Sequence, residues 1–517
     1  MIKLWMNELK YENDVRALLM AFYHGEKIIV NPGLELPDPD NLYLCEMHIE
    51  FDGDKIKVSV SDADNKKASN ADEANVDAAN AEVSNVDTDK VNKKTVSDEA
   101  MTVFADYKQA KNDLKRLVYK VLCAFTGRTL PWGTLTGIRP TKISMQLLDE
   151  GMDDVQMRRY FDREYKISDA KYRLCTQVAK NERRILEHVD YKKGFSLYTG
   201  IPFCPTICAY CSFSSFPLSA WKNKVDDYLD ALCHEVDQVS AMLGTRPTPL
   251  TFYMGGGTPT SLNPKQLDRI LTKLEKCFDL DKVCEKTIEG GRPDSITEDK
   301  LRVIRDHGIT RISINPQTMN QKTLDAIGRR HTIEEVRSAF ELARKCGFDN
   351  INMDLIAGLP GENADDFAYT LSEIKKMAPE SLTVHALAIK RAALVNREKL
   401  YLQSASVEEV NDMINMAFET AASMGHEPYY LYRQKNIAGN LENVGYALPG
   451  YEALYNILIM EEKQSIVALG AGASTKIVHH GENRIERIEN VKSVKDYIER
   501  NDEMILRKNN NLTSINL

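Results

Sequence analysis

Three cysteines fall within one short stretch, Ile201-Pro-Phe-Cys-Pro-Thr-Ile-Cys-Ala-Tyr-Cys-Ser-Phe213, at Cys204, Cys208 and Cys211, in the spacing C-x3-C-x2-C. Three thiolates can hold three irons of a [4Fe–4S] cube and leave the fourth iron open to a small molecule, which can then be reduced there. Other chemistry makes different demands. A structural zinc site wants four ligands, usually as two C-x2-4-C pairs. No fourth Cys or His lies nearby in the sequence, although Cys233 and His234 could fold back. A disulfide framework belongs to a small secreted domain, whereas this chain has 517 residues and shows no secretion signal. The remaining cysteines, Cys45, Cys123, Cys175, Cys233, Cys277, Cys284 and Cys346, are scattered in mostly apolar contexts and read as buried, inert thiols.

The elements that must position the triplet are legible between Gly194 and about Ala388, where short apolar runs alternate with longer amphipathic ones. Strands are expected at Phe195–Tyr198, Leu250–Met254, Lys286–Glu289, Arg311–Asn315, Asn350–Asp354 and Ser381–His385. Helices are expected at Asp226–Leu243, Pro264–Cys277, Glu298–His307, Ile333–Cys346 and Asp365–Met377. This alternation implies parallel βαβ units, and the strands found are two short of a closed eight-fold barrel. Ligands of such sheets gather at the C-terminal strand ends, and the polar oddities fall there. The cysteine triplet follows the first strand. Gly255-Gly-Gly-Thr-Pro-Thr260 follows the second; its glycines allow close approach of the backbone to a ligand, and its successive amides could form an anion nest. Glu289, followed by Gly-Gly-Arg-Pro, ends the third strand. Gln317 follows the fourth, Arg329 lies further on, and Asp354 ends the fifth. Each is an ordinary strand-end group alone; together, beside a three-thiolate loop, they describe a site.

Outside this stretch the chain divides by composition. Leu42–Phe51 and Lys55–Val60 flank Asp52-Gly53-Asp54, a β-hairpin signal. Asp62 to about Val96 holds almost only Ala, Asn, Asp, Ser, Val and Lys, with no aromatic residue, and reads as a disordered insert. Glu99 to Leu186 reads as helical, interrupted by loops at Pro131-Trp132-Gly133 and Gly137–Lys142, where Arg139 and Lys142 read as solvated turn residues. The expected organisation is an α+β N-terminal domain over 1–190 with its insert at about 62–96, a partial barrel over 191–390 and a C-terminal subdomain over 391–517. The last holds a helix at Val407–Met424 and a Gly-rich strand end. Hydrophobic residues make up 43% and charged residues 28%, ordinary for a globular protein, and the net charge of −9 argues against a general nucleic-acid binder. No apolar run approaches the roughly 20 residues that span a bilayer, so no membrane partner is expected and the location is expected to be cytoplasmic.

The motifs as a set resemble a family. Ile201-Pro-Phe-Cys-x3-Cys-x2-Cys211, Gly255–Thr260, Ile314-Asn-Pro-Gln317, Gly328-Arg-Arg-His331, Asp354-Leu-Ile-x-Gly-Leu-Pro360 and, more weakly, Leu469-Gly-Ala-Gly-Ala473 are similar to those of radical S-adenosylmethionine (SAM) enzymes of the oxygen-independent coproporphyrinogen III oxidase family, in its HemZ-type branch. The resemblance implies an α/β fold, a partial (β/α)6 radical-SAM barrel carrying an α+β N-terminal domain and a C-terminal subdomain that covers substrate. It implies a [4Fe–4S] cluster on Cys204, Cys208 and Cys211. It implies SAM contacts from Tyr198, Tyr210, Gly256, Gly257, Thr258, Glu289, Gln317, Arg329, Asp354 and Ala386, with Arg329 suited to the SAM carboxylate and Asp354 to ribose hydroxyls. The reaction implied is oxidative decarboxylation of coproporphyrinogen III propionates to vinyl groups, giving protoporphyrinogen IX, in a monomer served by a flavodoxin- or ferredoxin-like electron donor. Lys390, Arg391, Arg433 and Lys435 are candidates to clamp the substrate carboxylates.

The resemblance also carries alternatives. Decarboxylases of the family have a further cysteine where this chain has Phe213, and the related haem-chaperone branch has Phe there. A haem-binding chaperone would use an exposed His or Cys, with His385, His479 and His480 as candidates. A third reading is another radical-SAM enzyme that opens or methylates a tetrapyrrole.

Overall fold

The computed structural model describes residues 1–31, 43–63, 93–137, 139–211, 213–387, 405–433, 441–482 and 484–512. The chain groups into two compact units, one of residues 1–136 with 154–171, the other of 137–153 with 172–517, rather than three.

The first unit is built on a five-stranded sheet in the spatial order Ile28–Val30, Ile2–Met6, Cys45–Asp52, Lys55–Asp62, Thr95–Met101. The expected hairpin is present: Cys45–Asp52 and Lys55–Asp62 run antiparallel with Asp52 opposite Lys55, and Gly53, the first of the two turn residues Gly53-Asp54, takes the positive φ that this place in a two-residue hairpin turn favours for glycine. Ile2, Leu4 and Met6 alternate into the core with Met47, Ile49, Val58 and Val60. They pack on the helix Tyr107–Thr126, which Asp106 caps through Gln109 N and Gly127 ends at a positive φ. Two expectations are corrected here. Of the expected insert, 64–92 lies outside the described residues, but Asp62, Thr95 and Val96 are strand residues. Thr95–Met101, read partly as helix, is the fifth strand. Its residues alternate between exposed and only partly buried, with Val96 and Ala100 against the core, so no fully buried apolar face marks it; pairing with Lys55–Asp62 makes it a strand.

The second unit contains the six expected parallel strands, Phe195–Ile201, Thr251–Gly256, Glu285–Gly291, Arg311–Ile314, Ile351–Ala357 and Ser381–Ala386, side by side in that order. Helices Val225–Leu243, Pro264–Cys277, Glu298–Asp306, Ile333–Lys345 and Ala364–Met377 lie between them in the chain, as expected. Phe195, Leu197, Phe252, Met254, Ile288, Ile312, Met353 and Leu382 are buried, which is why these strands read as near-continuous apolar runs. Asn263, Thr332 and Asn363 close capping boxes that start three of the helices. The C-terminal part, expected as a separate subdomain, extends the same sheet at both edges. Ser465–Leu469 pairs parallel to the first strand, followed by Ser474–His479 and Arg484–Glu489; Glu442–Ala447 and then Glu427–Arg433 pair antiparallel beyond the sixth.

Candidate active site at the C-terminal strand ends

The cysteine loop is closed at its base, where Phe203–Cys204 pairs with Phe216–Pro217. Inside it, Cys211 N donates to Cys208 O (3.0 Å) and Ala209 N to Ile327 O (3.0 Å), and Thr206 Oγ1 donates to Gly328 O (3.3 Å). The loop is thereby docked on the turn that presents Arg329. Each sulfur has a polar neighbour. Thr258 Oγ1 lies 3.4 Å from Cys204 Sγ, Arg292 Nη1 3.8 Å from Cys208 Sγ, and Ser215 Oγ 3.8 Å from Cys211 Sγ. Burial pushes the Cys204 thiol up to about 11 and raises that of Cys211. For Cys208 burial acts in the same sense but is overcome by the guanidinium groups of Arg329 and Arg292, which hold the thiol below its ordinary value. Among the described residues no three His, Cys, Asp or Glu side chains converge on one ion. A cubane does not ask for that, since each thiolate takes a different iron.

The glycine run lies beside this loop. Gly256 has a φ of 110° and stands opposite Ile201 in the register. A Cβ on Gly257 would sit 2.7 Å from Phe203 O. The amides of Gly257 and Thr258 donate to Ile201 O (2.8 Å) and Phe203 O (2.7 Å), which corrects the expected anion nest: these donors are already engaged, and the missing side chain of Gly257 makes room for the Pro202–Phe203 backbone.

Across the strand ends, Tyr253 Oη donates to Glu289 Oε1 (2.5 Å). Burial pushes the Glu289 carboxyl up to about 7, with Asp354 adding to the rise and the Tyr253 bond opposing it. The Tyr253 ring is stacked on Tyr455 (4.5 Å) and Tyr198 (6.3 Å). Gln317 has a φ of 70°, uncommon for a side chain of its size. Bonds from Gln317 N to Asp354 O (2.9 Å) and from Ile356 N to Gln317 O (3.0 Å) hold it there. Asp354 accepts from Asn352 Nδ2 (2.7 Å), and His385 Nε2 is 4.0 Å away. Ala386 N donates to Asn443 Oδ1 (3.1 Å). Arg329 is buried and donates through Nη1 to Asn315 O. Tyr210 packs against Leu324, Ile327, Ile356 and Leu359.

Among the described residues, Ser313 Oγ, Asn315 Oδ1, Gln317 Oε1 and Arg329 Nε near these strand ends are buried without a hydrogen-bond partner. Each would cost about 1–3 kcal/mol if left unpaired, so the strand ends suit a polar ligand that pairs with them. The three thiols with their N–H and O–H neighbours likewise suit an iron–sulfur cluster. The cysteines and the strand-end residues singled out from the sequence all belong to this end of the sheet. Sequence reasoning passed over Arg292, Asn315, Tyr253 and Asn443. Arg292 stood in the noticed Gly-Gly-Arg-Pro; nothing signalled Asn443, which arrives from a strand outside the six.

The expected carboxylate clamp is corrected at Arg433, which is buried and donates to Gly137 O (3.1 Å), with Glu442 as a charged neighbour. Lys390, Arg391 and Lys435 lie outside the described residues. Arg139, read as a solvated turn residue, pairs with Glu462 (2.7 Å). His479 faces Glu486 (3.5 Å) on the C-terminal hairpin.

Residues 198–374 match the Radical SAM superfamily. The chain is 43% identical over 403 residues, 77% of this chain and 80% of the relative, to the oxygen-independent coproporphyrinogen-III oxidase-like protein HemZ of Bacillus subtilis. It is 29% identical over 308 residues, 59% of this chain and 75% of the relative, to the heme chaperone HemW of the same organism. With the oxygen-independent coproporphyrinogen III oxidase of Salmonella typhimurium it shares 30% identity over 238 residues, 46% of this chain and 51% of that one. The solved coproporphyrinogen III oxidase HemN of Escherichia coli superposes with a TM-score of 0.51 at 24% identity, covering 62% of this chain and 73% of that one, a likeness of fold. Among the described residues no helix is long and apolar enough to cross a membrane.

Proposed function

We propose, because the chain belongs to the radical SAM superfamily and within it to the HemZ family of oxygen-independent coproporphyrinogen-III oxidase-like proteins, that it oxidatively decarboxylates two propionates of coproporphyrinogen III to vinyl groups, giving protoporphyrinogen IX. The observation that carries this reading is the reach of the likeness to HemZ. It runs over 77% of the chain, well past the barrel, and so takes in segments that would cover a substrate. The family's cofactors, a [4Fe–4S] cluster and SAM, are this chain's cofactors.

In this reading Cys204, Cys208 and Cys211 hold the cluster. Gly256, Gly257 and Thr258 let SAM approach the backbone, and Glu289, Gln317 and Asp354 meet its polar groups. The buried Arg329 faces its carboxylate, and Tyr198, Tyr210 and Ala386 line its edges. The bound cofactors supply one-electron cleavage of a carbon–sulfur bond and, through it, removal of one hydrogen atom from the substrate. Each propionate then gives up one carbon dioxide and one further electron to an external acceptor, the starting electron coming from a flavodoxin- or ferredoxin-like donor. The protein's part is to fix the propionate and exclude water.

A second reading, haem delivery without decarboxylation, is favoured by Phe213. This ring stands two positions after Cys211 and is 74% exposed, a flat apolar face at the cluster loop. The test is anaerobic incubation of reconstituted protein with SAM, a low-potential reductant and coproporphyrinogen III. Vinyl products appearing with 5′-deoxyadenosine support decarboxylation. Tight haem binding with no turnover overturns it in favour of delivery.

A further inference from the structure

We propose that Arg292, aimed by Asp294, sets the reduction potential of the cluster through Cys208; the proposal rests on the reading of Cys208 as a cluster ligand, but not on any substrate. Arg292 is 2% exposed. A guanidinium has five N–H donors in a fixed plane, and here their use is divided. Nε and Nη2 are taken side-on by Asp294, at 2.9 Å to Oδ1 and 2.7 Å to Oδ2. That leaves Nη1 directed at the cysteine loop, 2.9 Å from Thr206 Oγ1 and 3.8 Å from Cys208 Sγ.

The backbone beneath is pinned as firmly. Arg292 N donates to Gly290 O (2.6 Å), and Ser295 returns two bonds to Arg292 O, from its amide (3.0 Å) and its hydroxyl (2.7 Å). Pro293 opens the short turn Pro293–Ser295 at a fixed φ. Gly290 lies so close to the next strand that a Cβ there would be 2.4 Å from Ser313 O. The guanidinium is therefore held in place before any cluster is present.

Adding an electron makes a thiolate-held cluster more negative. A fixed cation and an N–H donor at one of its sulfurs stabilise that added charge and raise the potential, and burial strengthens the effect by removing water from between the charges. Asp294 acts twice: it orients the fork, and its own charge offsets part of the cation. The two members of the pair should therefore shift the potential in opposite directions.

The experiment is an EPR-monitored redox titration of anaerobically reconstituted full-length protein without SAM, alongside iron and sulfide determination. Arg292→Gln should keep wild-type iron and sulfide and lower the midpoint potential. Asp294→Asn should keep them and raise it. Unchanged potentials, or shifts of both variants in the same direction, overturn the proposal. So does loss of iron from both variants, which would assign the pair to holding the loop. If only Arg292→Gln loses iron, the sign of the Asp294→Asn shift decides. Wild-type protein that takes up no cluster would instead overturn the ligand reading, a result distinct from any of these.

Discussion

A methyl group on Gly257 would meet Phe203 O at 2.7 Å and Pro202 C at 2.9 Å, backbone that cannot swing aside as a side chain would. Relief must come from the segment that carries Cys204. Gly257→Ala is therefore expected to cost about 1–3 kcal/mol of stability and to lower the iron bound per chain. Gly137→Ala, where a Cβ would have nothing within 4 Å, should change neither. Thermal unfolding with iron analysis of both variants checks this. At the residue scale the sequence was informative where a residue type is costly anywhere else. Three closely spaced cysteines, a glycine run and a carboxylate at an apolar strand end seldom serve packing alone. Arg292 was not legible, because an arginine after two glycines is a common turn; only the third dimension brings its Nη1 to Cys208. The engaged amides of Gly257 and Thr258 were equally hidden, since their acceptors belong to another strand.

The parallel strands and their helices were legible as elements, because burial on both faces makes a strand an apolar run and a helix flanking the sheet an amphipathic one. What joins the last helix to the rest was not. Lys508, in Asn501–Asn509, and Glu235, in Val225–Leu243, form a fully buried ion pair at 2.6 Å. Glu235 also accepts from Gly470 N (2.8 Å), Asn490 Nδ2 (2.8 Å) and Tyr497 Oη (2.6 Å). Tyr228, earlier on the same helix, donates to Gly200 O (2.7 Å) and accepts from Ala471 N (3.1 Å). This network fixes the Gly470–Ala471 turn against the end of the first strand. Lys508→Met would leave the Glu235 carboxylate buried without its cation and should cost about 3–5 kcal/mol. Lys495→Met, which removes an exposed pair with Glu499 at 3.9 Å, should cost about 0–1 kcal/mol. The midpoints of chemical denaturation of the two variants, compared with wild type, measure the contrast.

For the molecule as a whole, the low-complexity stretch was legible but its limits were not. Asp62 N donates to Lys94 O (3.1 Å) and Lys94 N to Asp62 Oδ2 (2.8 Å), so the strands on either side already meet. Replacing 65–91 by a short turn should leave the thermal midpoint unchanged or raise it by a few degrees, because each halving of the connection's length contributes only about 0.6 kcal/mol. Deleting 62–96, the limits read from composition, removes the start of the fifth strand and should lower the midpoint clearly; differential scanning calorimetry separates the cases. Composition marks where a chain is too polar to build a core, whereas an edge strand such as Thr95–Met101 is equally polar and owes its state to a neighbour. The sequence alone determined the closely spaced cysteine triplet, the six parallel strands and the polar residues at their C-terminal ends, because these follow from local residue chemistry and from hydrophobic period. Tertiary structure alone decided that the C-terminal part extends the same sheet, that Arg433 is buried and that a guanidinium faces Cys208. Those facts depend on residues far apart in the chain meeting in space, and local patterns carry no record of such meetings.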